Sequence, residues 1–224
     1  MAAVEERVTE ARALSEYGEL VAACTRCVLA QTRTQVVFGS GSPTADLMFV
    51  GEAPGFHEDK EGIPFIGAAG KLLVKLLAEI GLQRDDVYIA NVIKCRPPGN
   101  RDPHPEEIEA CESHLFKQIE LIQPKVVATL GNFATKLLSG KPDGITSVHG
   151  REQKVTLGGS TVLLYPLFHP AAALYTPRML DVLATDFARL PELMGQVRAP
   201  APVSAAPVMA APPEPAEPAQ LGLF

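Results

Sequence analysis

No stretch of this chain approaches the 18 or more consecutive apolar residues needed to span a bilayer, so no membrane anchor is expected. The first twenty residues also lack an export signal, scattering Glu5, Glu6, Arg7, Glu10, Arg12, Glu16 and Glu19 among the apolar positions. Basic residues are not in excess: Lys plus Arg number 20 against 26 Asp plus Glu, a net charge of -6. That balance excludes a globally basic nucleic-acid coat but not a local basic face. Cysteine is scarce, with four in 224 residues. Four fit a disulfide scaffold poorly and fit thiolates holding metal in a reducing compartment better. A cytoplasmic protein is expected.

The length and a hydrophobic content of 46% suffice for one sizeable core but are thin for two. One domain is expected over residues 1–196, including an N-terminal helix from Val4 to Ala23. Composition then shifts. Residues 199–219 hold 7 Pro and 8 Ala, a pattern that builds no core and reads as a disordered linker over 197–219. Extended, its twenty-odd residues could reach roughly 60 Å at ~3.1 Å each. The chain closes on residues 220–224, where Leu221, Leu223 and Phe224 are large apolar groups of the kind that enter a groove.

Between residues 24 and 194, short β-branched runs alternate with helical stretches, which argues an α/β fold with a largely parallel sheet. Strands are expected at Asp46–Val50, Val87–Ile93, Lys125–Leu130 and Thr161–Phe168, each apolar on both faces. Helical spacing recurs in Leu72, Leu73, Leu76, Leu77 and Ile80, and after Pro105 in Ile108, Leu115, Ile119 and Ile122. Two further helices are expected over Asn132–Leu138 and Arg178–Met194.

The cysteines form one C-x2-C pair, Cys24 and Cys27, and two dispersed thiols, Cys95 and Cys111. A single centre reached by all four would tie the N-terminus to the domain. Zinc and a 4Fe-4S cluster both accept four thiolates; the missing second C-x2-C pair tilts the reading towards iron and sulfur. With no flavin motif or second cluster in view, a structural staple is the simpler role.

In open α/β sheets, ligands bind beyond the carboxyl ends of the strands. Gly51-Glu52-Ala53-Pro54-Gly55 follows the first strand, where glycine permits close backbone approach and Glu52 could handle a water. Glu58 could shape the pocket or cap a helix. Phe65 lies between glycines, suited to stacking on a planar ring. Asn91 brings an amide to the second strand, with the donor and acceptor needed to read a nucleobase edge. His169 closes the last strand.

Gly51-Glu52-Ala53-Pro54-Gly55, Asn91 followed by Lys94-Cys95-Arg96-Pro97-Pro98, and His169-Pro170-Ala171-Ala172 together resemble the signature segments of the family 4 uracil-DNA glycosylases. The cysteine spacing is similar too, and the likeness spans about residues 20–195. It implies a three-layer αβα fold around a four-stranded parallel sheet, one 4Fe-4S cluster on Cys24, Cys27, Cys95 and Cys111, and monofunctional removal of uracil from single- and double-stranded DNA. By the same resemblance Gly51, Glu52 and Ala53 line the uracil pocket, Phe65 stacks on the base, Asn91 reads its polar edge and His169 contacts its carbonyl oxygen. Glu52 and His169 are then the catalytic pair. Ala53 and the compact 97–103 segment set the chain apart from related proteins that attach covalently to their product site, which carry Gln at the position of Ala53 and an extra basic loop.

Arg96, Arg101, His149, Arg151 and Arg178 fall in loops after the strands and are candidate phosphate contacts, with Leu174 a candidate wedge for the vacated base stack. The end of the chain resembles the peptide by which bacterial repair proteins bind the sliding clamp, through Gln220, Leu221, Leu223 and Phe224. A monomer working on the bacterial nucleoid is expected. The competing class is a non-catalytic nucleic-acid-binding or electron-transfer iron–sulfur protein, which would not need Glu52, Asn91 and His169 together.

Overall fold

The structure, a computed structural model, describes residues 2–195, with side chains from residue 8. The linker and terminal peptide expected over 197–224 lie outside the described residues. Helix α1 spans Ala2–Ala22, followed by β1 Ser40–Gly41, β2 Leu47–Gly51, α2 Phe56–Glu61 and α3 Ala68–Glu79. Next come β3 Tyr88–Asn91, α4 Pro105–Ile122, β4 Val126–Leu130, α5 Asn132–Ser139 and α6 Ile145–Val148. Strands β5 Gln153–Leu157 and β6 Ser160–Leu167 precede α7 Pro177–Phe187 and α8 Leu190–Leu193.

Strands β3, β2, β4 and β6 are mutually parallel and adjacent in that order, which is the expected four-stranded core. Both of its edges are extended by antiparallel strands: β1 joins β3, and β5 joins β6, giving six strands in all. Their signals were weak for different reasons. β1 is two residues long, whereas β5 alternates partly buried and exposed positions and turns into β6 through Gly158-Gly159. Both glycines have positive φ, 55° and 80°, as a two-residue hairpin turn requires. The dipeptide was the available sign of that hairpin.

Alternation along the parallel strands makes the three layers. Met48, Val50, Tyr88, Ala90 and Val127 share one core with Leu14, Leu115 and Ile119, so α1 and α4 cover that face. Leu47, Phe49, Ile89, Val126 and Ala128 point the other way, into Leu73, Leu76 and Leu77 of α3 and Leu183 and Phe187 of α7. Truncating one such fully buried leucine to alanine typically costs ~2–5 kcal/mol. The helix expected over 178–194 is two helices, α7 and α8. Pro191 has no N–H to offer the carbonyl of Phe187 four residues earlier, and its ring clashes with a continuous helix.

Candidate active site

The parallel core delivers Gly51 at the end of β2, Asn91 at the end of β3 and His169 two residues past β6 to one edge of the sheet. Asn91 and His169 line a cavity of about 470 Å³ together with Glu52, Ala53 and Phe65, while Gly51 packs against Asn91 and Phe65 and is not itself among the lining residues. A cavity of that size suits a small planar ligand. Backbone pairing runs past the end of the strands, with the Val92 N–H donating to the Gly51 carbonyl at 2.9 Å and the Ile93 N–H to that of Glu52 at 3.1 Å. Glu52 and Asn91 are thereby fixed side by side on a rigid element.

Asn91 is 1% exposed, and its side-chain Oδ1 is buried without a hydrogen-bond partner. A buried polar atom left unpaired costs ~1–3 kcal/mol, a cost a ligand's N–H would remove. Gly51 makes room for it. A Cβ there would lie 2.5 Å from Asn91 Oδ1 and 2.7 Å from the Phe65 ring. Gly51→Ala should therefore displace the amide and the ring together. With free uracil, the base that the sequence resemblance implies for this cavity, as the probe, a tenfold or greater weakening of binding is expected with the thermal midpoint little changed; unaltered binding would show that the two side chains do not meet the probe.

Phe65 is buried, lies 5.5 Å from His169 between ring centroids, and adopts φ 53°, a conformation rare outside glycine. Three anchors hold that loop. Glu58 Oε1 accepts the N–H groups of Ile66 and Gly67 at 3.1 and 3.0 Å. Arg84 donates to the carbonyls of Phe65, at 3.1 Å, and Pro64, and to Ser40 Oγ at 3.0 Å. Gly70 lets α3 approach, since a Cβ there would sit 1.8 Å from the Phe65 carbonyl oxygen. Glu58 thus shapes the pocket through the backbone of the Phe65 loop. Arg84 was missed because nothing in its sequence neighbourhood points to a loop nineteen residues earlier.

His169 accepts the Ala171 N–H at Nδ1, 3.1 Å, which leaves the ring proton on Nε2 as a donor. Burial penalises the cation and holds the imidazole down at about 4, so at neutral pH it is an uncharged donor. The Glu52 carboxyl is pushed above its ordinary value, first by burial and then by the charge of Asp102. In its ionised form it can accept a proton from water. Asp102→Asn should move the acidic limb of the rate profile to lower pH, because the enzyme then needs less alkaline conditions to keep Glu52 charged. A limb that stays in place would show that another group sets it.

The four cysteines line one small cavity between the end of α1, the segment after β3 and α4, although among the described residues no group of three His, Cys, Asp or Glu side chains converges as a single-ion site. All are free thiols. Three sulfurs already sit beside nitrogen groups: Arg33 donates to Cys95 Sγ at 3.4 Å, the Lys94 N–H to Cys111 Sγ at 3.3 Å, and His114 Nε2 lies 3.4 Å from Cys24 Sγ. Such partners suit thiolates, which are negative. Lys94 is fully buried, its ammonium bonded to Gln118 and, at 2.7 Å, to the Asn91 carbonyl. It joins the cysteine cavity to a residue lining the strand-end cavity, a link that lay hidden in a strand-end lysine.

Of the other charged candidates, Arg101 lines the cavity rim but is bonded to Glu107 at 2.6 and 2.9 Å, and His149 is paired with Asp186 at 2.8 Å. Arg151, Arg178 and Leu174 are exposed, and Arg96 is partly so.

The uracil DNA glycosylase superfamily model matches residues 38–190. The chain belongs to that superfamily, in its type-4 branch. Type-4 uracil-DNA glycosylases of Sulfurisphaera tokodaii and Archaeoglobus fulgidus are 48% and 46% identical to it, over 80% and 79% of this chain and 84% and 90% of theirs. That of Thermotoga maritima is 50% identical over 68% of this chain and 79% of its own. This type-4 member is therefore an enzyme of a hydrolytic glycosylase family, and the αβα architecture expected from its sequence stands with two added edge strands. No described helix of it is long and apolar enough to cross a membrane.

Proposed function

We propose that this enzyme hydrolyses the N-glycosidic bond of uracil in single- and double-stranded DNA, releasing the base and leaving an abasic site. The observation that carries the reading is the unpaired Oδ1 of Asn91, buried at the end of β3 and 2.5 Å from where a Gly51 Cβ would stand. It supplies an acceptor for an imide N–H, with Phe65 placed to stack on the ring. Breaking the bond leaves negative charge on the departing base and positive charge on the sugar. His169 Nε2 donates to the carbonyl oxygen that collects the former, and Glu52 offsets the latter while orienting or deprotonating the attacking water. Flipping the nucleotide into the pocket costs a few kcal/mol, so uracil opposite guanine should be released faster than uracil opposite adenine.

The all-thiol donor set and the N–H groups aimed at it support one 4Fe-4S cluster held by Cys24, Cys27, Cys95 and Cys111. When bound, it supplies a structural cross-link from α1 to β3 and α4. Arg101 at the rim and Arg96 beside it, with Arg151, Arg178, His149 and Leu174, are the proposed DNA-facing groups of a monomer acting on the chromosome in the bacterial cytoplasm. Residues 220–224 are proposed as a clamp-binding peptide whose linker raises the local enzyme concentration on replicating DNA. Removal of those five residues should abolish retention on immobilised sliding clamp without slowing base release; equal retention refutes the role.

Purified protein incubated with a single-uracil duplex, then treated with alkali, should give strand scission at uracil and none in a thymine control. Brown, cluster-loaded protein that leaves both strands intact would overturn the reading in favour of a binding protein.

A further inference from the structure

The uracil pocket accounts for one nucleotide, but the surface beside it is also arranged for an aromatic ligand. Phe56, the first residue of α2, is 46% exposed, an unusual state for a phenylalanine beside a polar cavity. Two cations attend its ring. Lys60 Nζ lies 4.5 Å and the Arg96 guanidinium 5.2 Å from the ring centroid. The Arg96 guanidinium is not left to wander, because its Nε donates to Asn100 Oδ1 at 2.6 Å. The group is continuous with the pocket from both sides: Gly55, just before Phe56, and Pro97, just after Arg96, line the cavity, as does Asn100.

We infer that Phe56, Arg96 and Lys60 form a second nucleotide subsite, which holds the nucleotide next to the flipped uridine on the same strand. The base stacks on the exposed ring and the edge of the guanidinium plane, while the ammonium takes the phosphate between the two nucleotides. The inference rests on the glycosylase reading and deepens it. An exposed ring with cations close beside it is the combination by which proteins hold single strands without reading their sequence, because every base presents a π-face and every linkage a negative charge. The charge pattern favours a nucleic-acid strand over an apolar protein partner, since a partner helix would have to bury both cations. Phe56 therefore gives this enzyme its grip on a strand whose neighbouring base is already unstacked, as in single-stranded DNA.

The test is direct binding, read by fluorescence anisotropy with the intact cluster-loaded protein. Single-stranded oligonucleotides carry one uracil flanked either by thymines or by abasic spacers. Phe56→Ala should weaken binding of the thymine-flanked strand roughly tenfold and leave the spacer-flanked strand unchanged, while Phe56→Trp restores the parent affinity. Lys60→Gln should lower the salt dependence by about one counterion. Inhibition by free uracil should be the same in all variants, because none touches the base pocket. Equal loss on both strands, or no loss on either, overturns the subsite. Should the parent bind the strands but release no uracil, the glycosylase reading falls while the binding comparison still decides the role of Phe56.

Discussion

Replacing His169 with alanine should slow uracil release by about two to three orders of magnitude in single-turnover cleavage while leaving oligonucleotide affinity within about threefold. The size follows from the loss of one preorganised donor at a site of developing negative charge, worth roughly 3–4 kcal/mol. The direction follows from geometry: Ala171 occupies Nδ1 and leaves Nε2 to the substrate. Equal losses in cleavage and affinity would instead mark His169 as part of a binding surface. A second signature follows from acid. An ordinary imidazole titrates near 6.5, whereas burial holds this one at about 4. As pH falls between those values the unfolded chain gains a proton that the folded chain refuses, so folding weakens there and is level above. His169→Ala should flatten that part of a pH series of thermal midpoints.

Cys95→Ser should give a colourless protein whose thermal midpoint falls by about 10 °C, as a loss of ~3 kcal/mol implies for a domain of this size. Cys95 and Cys111 lie on the segment after β3 and on α4, while Cys24 and Cys27 follow α1. One missing thiolate therefore loosens the join between three elements. The effect should reach the pocket, because the Lys94 ammonium, whose chain lies between the cysteine cavity and β3, is bonded to the Asn91 carbonyl. Inhibition by free uracil should weaken in step with lost iron. A variant that retains visible absorbance, iron content and the parent midpoint would exclude Cys95 as a ligand.

Much of this was legible in the sequence because its residues carry their chemistry with them. Apolar runs at β2, β3, β4 and β6 require cover on both faces, and the structure supplies α1 and α4 on one side, α3 and α7 on the other. Gly51, Glu52, Asn91 and His169 lie at strand ends, where sheet geometry gathers them whatever the details of packing. The supports were not legible. Arg84 holds the Phe65 loop through backbone carbonyls, and a carbonyl has no residue identity to read. Lys94 would be assigned to solvent by its type, yet it is fully buried by partners on α4 and β3. Phe56 carries no meaning until folding brings Arg96 across to it.

The two antiparallel strands at the margins of the sheet bear on how the protein behaves in a crowded cell. An uncovered parallel strand would present a long, flat row of unpaired amides and carbonyls, an invitation to aggregation. Here one margin is β1, only two residues long, and the other is β5, which exposes Lys154 and Thr156. A foreign strand finds little to pair with on the first and must desolvate a charge on the second. The parallel core that assembles the pocket is thereby shielded from fibril-like growth.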